Sequence, residues 1–377
     1  MKHLDFVFFD AGGGHRAAAN ALQALIQRRA YPWQIRLVNL QEVLDELDIC
    51  RKYFGIRMQD VYNQILKRGW TIGSAQGVAL MHWLIRHYHA DQVRVLANFW
   101  RQMEPDLVVS LIPNFGRALY ESLKQVWPKT PLVTILTDLA DYPPHFWIEP
   151  GQDQYYICGT EKAYQQAREF GYSEERAIRV SGMVLHPRFY ERPPIDRATE
   201  RQKLGLDPDL PTGLILFGGQ GSSLIRLILK RLEKSARRAQ YIAICGKNES
   251  LRDQLRRTRW SFPLFVEGFT SEVPYYMRLS DFFIGKPGPG SISEALVMGL
   301  PVILERNAWT LPQERYNTEW IQEKGAGIVL RNFRHIAAAV ETLLAPGAFE
   351  RYQQAVAKLD NQAVFEIPPI LERLLKS

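Results

Sequence analysis

Two stretches of this chain hold the residue types that proton transfer and phosphate binding require. The first is Gly12-Gly13-Gly14-His15-Arg16, which follows the apolar run Leu4–Phe9 and leads into a helical pattern. Consecutive glycines permit positive φ and let another molecule come close to the backbone. A helix that starts there points bare N–H groups at that molecule and favours negative charge. The spacing is not GxGxxG, and no lysine completes a P-loop. His15 stands at the mouth of the strand, where an imidazole titrating near neutral pH can accept a hydroxyl proton. A tight turn with a capping histidine fits the same residues.

The second stretch is Ile284-Gly285-Lys286-Pro287-Gly288-Pro289-Gly290-Ser291-Ile292-Ser293-Glu294. Again a strand ends, a glycine–proline loop turns, and a helix follows. The pattern predicts a helix starting at Gly290 or Ser291, with Glu294 in its first turn. A carboxylate there can accept both hydroxyls of a ribose while the preceding amides hold a diphosphate; a capping carboxylate is the alternative. Further on, Leu311-Pro312-Gln313-Glu314-Arg315-Tyr316-Asn317 opens a polar helix whose side chains can meet sugar hydroxyls or only solvent.

Both stretches need strands behind them. Apolar runs read as strands at Leu4–Phe9, Ile35–Asn39, Leu107–Leu111, Leu132–Thr137, Tyr155–Cys158 and Ile178–Ser181. A second series reads at Leu214–Phe217, Ile242–Cys245, Leu264–Glu267, Phe282–Gly285, Val302–Leu304 and Gly327–Leu330. Helix-like stretches separate them, which is the pattern of parallel sheets covered on both faces. Between the series, Pro187 to Pro211 is rich in proline and charge and reads as a linker holding a short helix. The expectation is α/β, with two Rossmann-like doubly wound domains facing across a cleft.

Length and composition agree with two such domains. The 377 residues are 46% hydrophobic and 23% charged, enough apolar material for two cores. No run of about 18 apolar residues predicts a membrane span, and the start shows no leader pattern, so the expected location is the cytoplasm. Cys50, Cys158 and Cys245 lie far apart and match no zinc spacing. The net charge of +7 suits nucleic acid, an acidic membrane surface or a phosphorylated substrate. No nucleic-acid module is present.

The motifs occur in a familiar order: GGGHRAAANAL, Thr137-Asp138-Leu139, GFTSEVPYYM (Gly268 to Met277), GKPGPGSISEAL, GLPVIL (Gly299 to Leu304) and PQERYN. Together they resemble the monogalactosyldiacylglycerol synthases and, more widely, bacterial diacylglycerol glucosyltransferases and the peptidoglycan enzyme MurG. The tail Gln362-Ala363-Val364-Phe365-Glu366-Ile367 is similar as well, so the resemblance spans essentially the whole chain. It implies a GT-B glycosyltransferase that inverts, needs no metal or other cofactor, and takes a hexose from a UDP-sugar to a lipid, diacylglycerol above all. It implies an acceptor domain over residues 1–188, with the end of the chain, 361–377, packed back on it, and a donor domain over 189–360.

Carried over by motif, Gly288, Gly290, Ser291 and Glu294 bind phosphate and ribose, and Gln313 and Glu314 read the sugar. Gly219, Gly221 and Ser222 approach the donor from the other side, and Phe269 lies beside the uracil. Gly12, Gly13 and Gly14 form the acceptor loop, His15 is the base, and Asp138 orients or assists it. Departures fall on the acceptor side: Pro143-Pro144-His145 replaces an earlier His-Pro, Ile112-Pro113 replaces another, and Gly182-Met183-Val184-Leu185 stands for GxPV. Galactose, glucose and N-acetylglucosamine stay open as the sugar. So do a different lipid or hydrophobic metabolite as acceptor, a UDP-sugar epimerase, and a non-catalytic binding protein.

Tyr53 to Tyr88 interleaves Arg57, Lys67, Arg68, Trp70, Trp83, Arg86 and His87. That composition suits a surface lying peripherally on the anionic inner face of a membrane. Aromatics turned into the core fit it too.

Overall fold

A computed structural model describes residues 1–10, 13–47, 85–142, 145–236 and 238–376. Twelve strands lie among the described residues, one for each run read from the sequence, and form two six-stranded sheets. The first contains β1 (Lys2–Phe8), β2 (Trp33–Asn39), β3 (Leu107–Ser110), β4 (Leu132–Ile135), β5 (Tyr155–Cys158) and β6 (Ala177–Arg179), in the order β2-β1-β3-β4-β5-β6. The second contains β7 (Thr212–Leu216), β8 (Gln240–Ile244), β9 (Leu264–Glu267), β10 (Phe282–Gly285), β11 (Val302–Glu305) and β12 (Gly327–Leu330), in the order β12-β11-β10-β7-β8-β9. Every pairing is parallel.

Strand alternation explains the two-faced cores. Along β7, Leu214 and Leu216 join one buried apolar cluster while Ile215 joins the other. On β8, Ile242 and Ile244 face the first cluster, and Tyr241 and Ala243 the second. A period of two sends successive side chains to opposite sheet faces, and helices cover both. The first sheet has the same plan: Leu4, Phe6 and Phe8 pack on one side and Val7 on the other.

Strand order reverses direction at β1/β3 in the first sheet and at β7/β10 in the second. Crevices form beyond the carboxyl ends of strands at such switch points. The loops after β1, β7 and β10 are the three glycine loops of the sequence, so sheet topology alone puts them at the cleft. Two strand ends differ from expectation in a useful way. β4 stops at Ile135, which leaves Thr137 in a loop. β7 stops at Leu216, before the chain swings through Gly218 at φ 76°.

Between the sheets the chain forms a short 3-10 turn, Pro187–Phe189, and a helix, Arg197–Lys203. Its closing helix, Ala363–Leu374, buries Val364, Ile367 and Leu371 in the cluster that holds Leu4 and Phe6. The two passages between the halves lie side by side. The Gln362 amide donates to Ser181 Oγ (2.6 Å), Asn361 Nδ2 donates to the Met183 carbonyl (3.0 Å), and the Ser181 amide donates to Glu366 Oε2 (2.8 Å). No helix among the described residues is long and apolar enough to cross a membrane. Of the segment Tyr53–Tyr88, residues up to 84 fall outside the described residues, as does Gly12 of the first glycine loop.

Candidate active site

On the first sheet, Gly13 takes the left-handed conformation (φ 85°) and caps the helix Gly14–Arg28 without a side-chain bond. That turn makes His15 the second helical residue and aims it across the sheet. Its Nδ1 lies 3.1 Å from Thr137 Oγ1, in the loop after β4. Asp138, 8% exposed, accepts a 2.9 Å hydrogen bond from the indole Nε1 of Trp147. The same indole stands 6.0 Å from the His15 ring, and its backbone amide donates to Asp141 (2.7 Å). The hydroxyl against the histidine is thus that of Thr137, while the hydrogen-bond partner of Asp138 is Trp147. A carboxylate at 138 is turned to the indole because the two are buried together and each needs a partner.

Burial sets the protonation of this pair. It pushes His15 down to about 4, against a hydrogen bond from the ring to Leu111. It pushes Asp138 up to about 7, against the Trp147 hydrogen bond; Glu314 adds to the rise, Lys286 opposes it, and Asp141 adds a little more. Desolvation disfavours whichever form is charged. Near pH 7 the imidazole is thus neutral and the carboxyl divided between its two forms.

Glu314 and Lys286 lie in loops of the second half, and their charges act on Asp138 of the first. Lys286 follows β10 directly. Its ammonium donates to Glu314 Oε1 at 2.9 Å, and Glu314 is only 7% exposed. Gly288 sits among these groups. A Cβ there would meet Lys286 Cε at 3.2 Å, Ser291 Oγ at 3.5 Å and Glu314 Oε1 at 3.6 Å. Gly288 caps the helix Pro289–Val297, and a Cβ on Gly290 would meet nothing within 4 Å. The first amides of that helix have no intrahelical acceptor and suit an anion.

Glu294 needs correcting. The helix begins at Pro289, earlier than Gly290 or Ser291, because proline's fixed φ and missing N–H fit a first helical position. Glu294 is consequently in the second turn and does not cap the helix. Burial alone raises its carboxyl to about 8.

Gln313 and Glu314 lie on a 3-10 turn, Pro312–Glu314, that runs into the helix Arg315–Lys324. Gln313 Oε1 is buried without a partner. One helical turn on, fully buried Asn317 donates to the Pro287 carbonyl (2.7 Å), while its Oδ1 is also buried and unmatched. Buried acceptors without donors are costly.

The loop after β7 interlocks with the one after β8. Gly221 (φ 71°) lies against the Cys245 carbonyl and Gly246 (φ 56°) against the Gly219 carbonyl, too close for any side chain. The Lys247 amide donates to Gly219 (2.9 Å). Ser222 stands beside this loop and accepts from the Leu224 amide (3.3 Å). Over the loop Phe269 is 66% exposed, with the Lys247 ammonium 5.4 Å from its ring centre. An open aromatic face beside a cation suits a flat base. Among the described residues no group of three His, Cys, Asp or Glu side chains could hold a metal ion.

Thr137, Trp147, Lys286 and Asn317 were not singled out from sequence. Three of them sit inside motifs that were, namely Thr137-Asp138-Leu139, GKPGPG and PQERYN. Trp147 had no such signal.

Two facing sheets with glycine loops at both switch points are the GT-B fold, and solved structures share it. MurG of Acinetobacter baumannii superposes with a TM-score of 0.59 over 99% of this chain and 100% of its own, at 13% identity. The UDP-GlcNAc 2-epimerase of Neisseria meningitidis gives 0.58 at 16% identity, covering 99% of this chain and 100% of its own. Sequence is more specific than fold. Residues 15–185 match the family described as monogalactosyldiacylglycerol (MGDG) synthase, and residues 213–364 the glycosyltransferase family 28 C-terminal domain. The probable monogalactosyldiacylglycerol synthase 2, chloroplastic, of Oryza sativa subsp. japonica is 30% identical over 398 residues, covering 99% of this chain and 81% of that one. The chain belongs to the monogalactosyldiacylglycerol synthase family, and it is a UDP-sugar-dependent hexosyltransferase.

Proposed function

We propose that this enzyme transfers galactose from UDP-galactose to diacylglycerol, with inversion and without a metal. The named activity of its relatives supports the choice of sugar and acceptor. One observation carries the mechanism: Asp138 of the first half lies in the electrostatic field of Lys286 and Glu314 of the second. An acceptor hydroxyl beside His15 and Asp138 would then face the sugar end of the donor.

In this reading residues 1–188 and the closing helix take the acceptor, and 189–360 take the donor. Phe269, Gly219, Gly221 and Ser222 flank the nucleotide. Glu294 receives the ribose hydroxyls, and Gly288, Gly290 and Ser291 receive the diphosphate. Gln313 and Glu314 receive sugar hydroxyls. The neutral His15 ring carries one N–H and keeps one nitrogen lone pair, which takes the acceptor proton. Bound diphosphate and an ionised Asp138 both raise the proton affinity of His15 above that of the empty site. Amides at the helix start stabilise the charge on the leaving UDP.

The test is a panel of UDP-galactose, UDP-glucose and UDP-N-acetylglucosamine with diacylglycerol and with total lipid extract, read by mass spectrometry and by the anomeric configuration of the product. β-Galactosyldiacylglycerol is expected. A product on another lipid would redirect the acceptor, and sugar isomerised without acceptor would mean an epimerase. We also propose that the segment Tyr53–Tyr88 docks on anionic membranes from the cytoplasmic side. Each basic residue near such a surface contributes about 1 kcal/mol. Liposome flotation should show binding that weakens with salt, and equal absence from neutral and anionic vesicles would remove the membrane claim.

A further inference from the structure

We propose that Lys286 is the cation that receives the charge of the departing UDP, and that its ion pair with Glu314 is a resting position which donor binding splits. The ammonium goes to the diphosphate, and the freed carboxylate goes to hydroxyls of the sugar. The inference rests on the reading that the Gly288–Ser291 loop holds the diphosphate.

Position is the first reason. The Lys286 stem runs between the two glycine loops of the second sheet: its Cε lies 3.2 Å from a Cβ placed on Gly288 and 3.9 Å from one placed on Gly218. Bulk at Gly288 would crowd it, while Gly218 lies at ordinary contact distance, so the stem reaches both loops. The register pairs Gly285 with Leu216, which brings β10 and β7 to the cleft at the same level.

The second reason is charge. As the acceptor oxygen bonds to the anomeric carbon, the bond from that carbon to the β-phosphate oxygen breaks. The electron pair leaves on the phosphate, and the acceptor proton goes to the base. UDP therefore gains a full negative charge. A helix N-terminus offers roughly half a unit of positive charge. Lys286 adds a whole unit, and its charge lowers Asp138 from the other half.

The third reason is that the pair is built unevenly. The Lys286 side chain is 39% exposed and that of Glu314 9%. The ammonium can turn away into a hydrated cleft, while the carboxylate has to stay. Left behind, a carboxylate that is 9% exposed needs new hydrogen-bond donors. A hexose brings several hydroxyl donors to that corner at the moment the ammonium leaves.

Calorimetry with UDP, alongside single-turnover rates with UDP-galactose, tests this on Lys286→Met, Lys286→Arg, Glu314→Gln and the double variant Lys286→Met/Glu314→Gln. Lys286→Met should weaken UDP binding about tenfold and slow transfer further, and Lys286→Arg should recover most of the binding. Glu314→Gln should bind UDP about threefold tighter, because the ammonium no longer leaves a carboxylate, yet transfer poorly. Lys286→Met strands a buried carboxylate and can lose folding. The double variant carries no stranded charge and should still bind UDP about tenfold more weakly. UDP affinity within twofold of wild type in the double variant overturns the proposal if Glu294→Ala has lost affinity. If Glu294→Ala also retains affinity, the donor-site reading falls first and takes this one with it.

Discussion

The two glycine loops that open the cleft differ in what stands behind them. Behind the loop after β1 are a threonine hydroxyl, an indole and buried titratable groups shifted toward neutrality. Behind the loop after β10 are a formed ion pair, an open helix start and two acceptors without donors. The first side is suited to moving a proton with little net charge, and the second to receiving a charged, hydroxyl-rich molecule. A GT-B enzyme needs both, and this one keeps them on separate sheets.

The widest separation should appear with His15→Ala. Transfer should fall about 10²–10⁴-fold, the usual cost of a lost general base, while UDP affinity stays within about threefold. Near-normal turnover in a folded variant would move the base to Asp138. The donor side should give the converse. Glu294→Ala should weaken UDP binding about 10- to 100-fold, since ribose hydroxyls lose an acceptor worth about 1.5–3 kcal/mol. Unchanged affinity by calorimetry, or binding that requires magnesium, would break the comparison from that end.

A smaller effect tests the contact between the sides. Asp138 faces Trp147 and Asp141 from its own half and Glu314 and Lys286 from the other. It is deprotonated as pH rises through about 7, so kcat/KM should rise through that pH rather than through about 4, where His15 titrates. Glu314→Gln removes a charge that raises Asp138, and the acid limb should move to lower pH. Lys286→Met removes one that lowers it, and the limb should move up. A limb that ignores both substitutions would mean that the halves do not sense each other.

Much of this was legible in the residues. All twelve strands could be read as short apolar runs, and the runs that end at glycine after β1, β7 and β10 carry the loops with chemistry. Which loops meet was not legible. His15 and Thr137 are 122 residues apart in sequence, and the order of strands in a sheet is a long-range property. The misplaced helix start is a local error. Pro289 carries the signal for a first helical position and outweighs the neighbouring glycine and serine. Trp147 lay out of reach because an indole after a Pro-Pro-His stretch reads as core until the carboxylate it binds is seen. The basic aromatic segment before residue 85 lies outside the described residues.

The side-by-side passages at Ser181–Met183 and Asn361–Gln362 also determine how the halves can part. A single tether would let one half swivel freely, whereas two that are pinned together act as a door hinge and leave one easy axis. Opening and closing should then follow one arc that carries Lys286 and Glu314 toward or away from Asp138 as a unit. The last residues are the far leaf of that hinge, since Ala363–Leu374 is buried against the first sheet. A chain cut just before residue 361 would therefore lose its pivot and part of the acceptor half's core, while the donor half kept its own sheet whole.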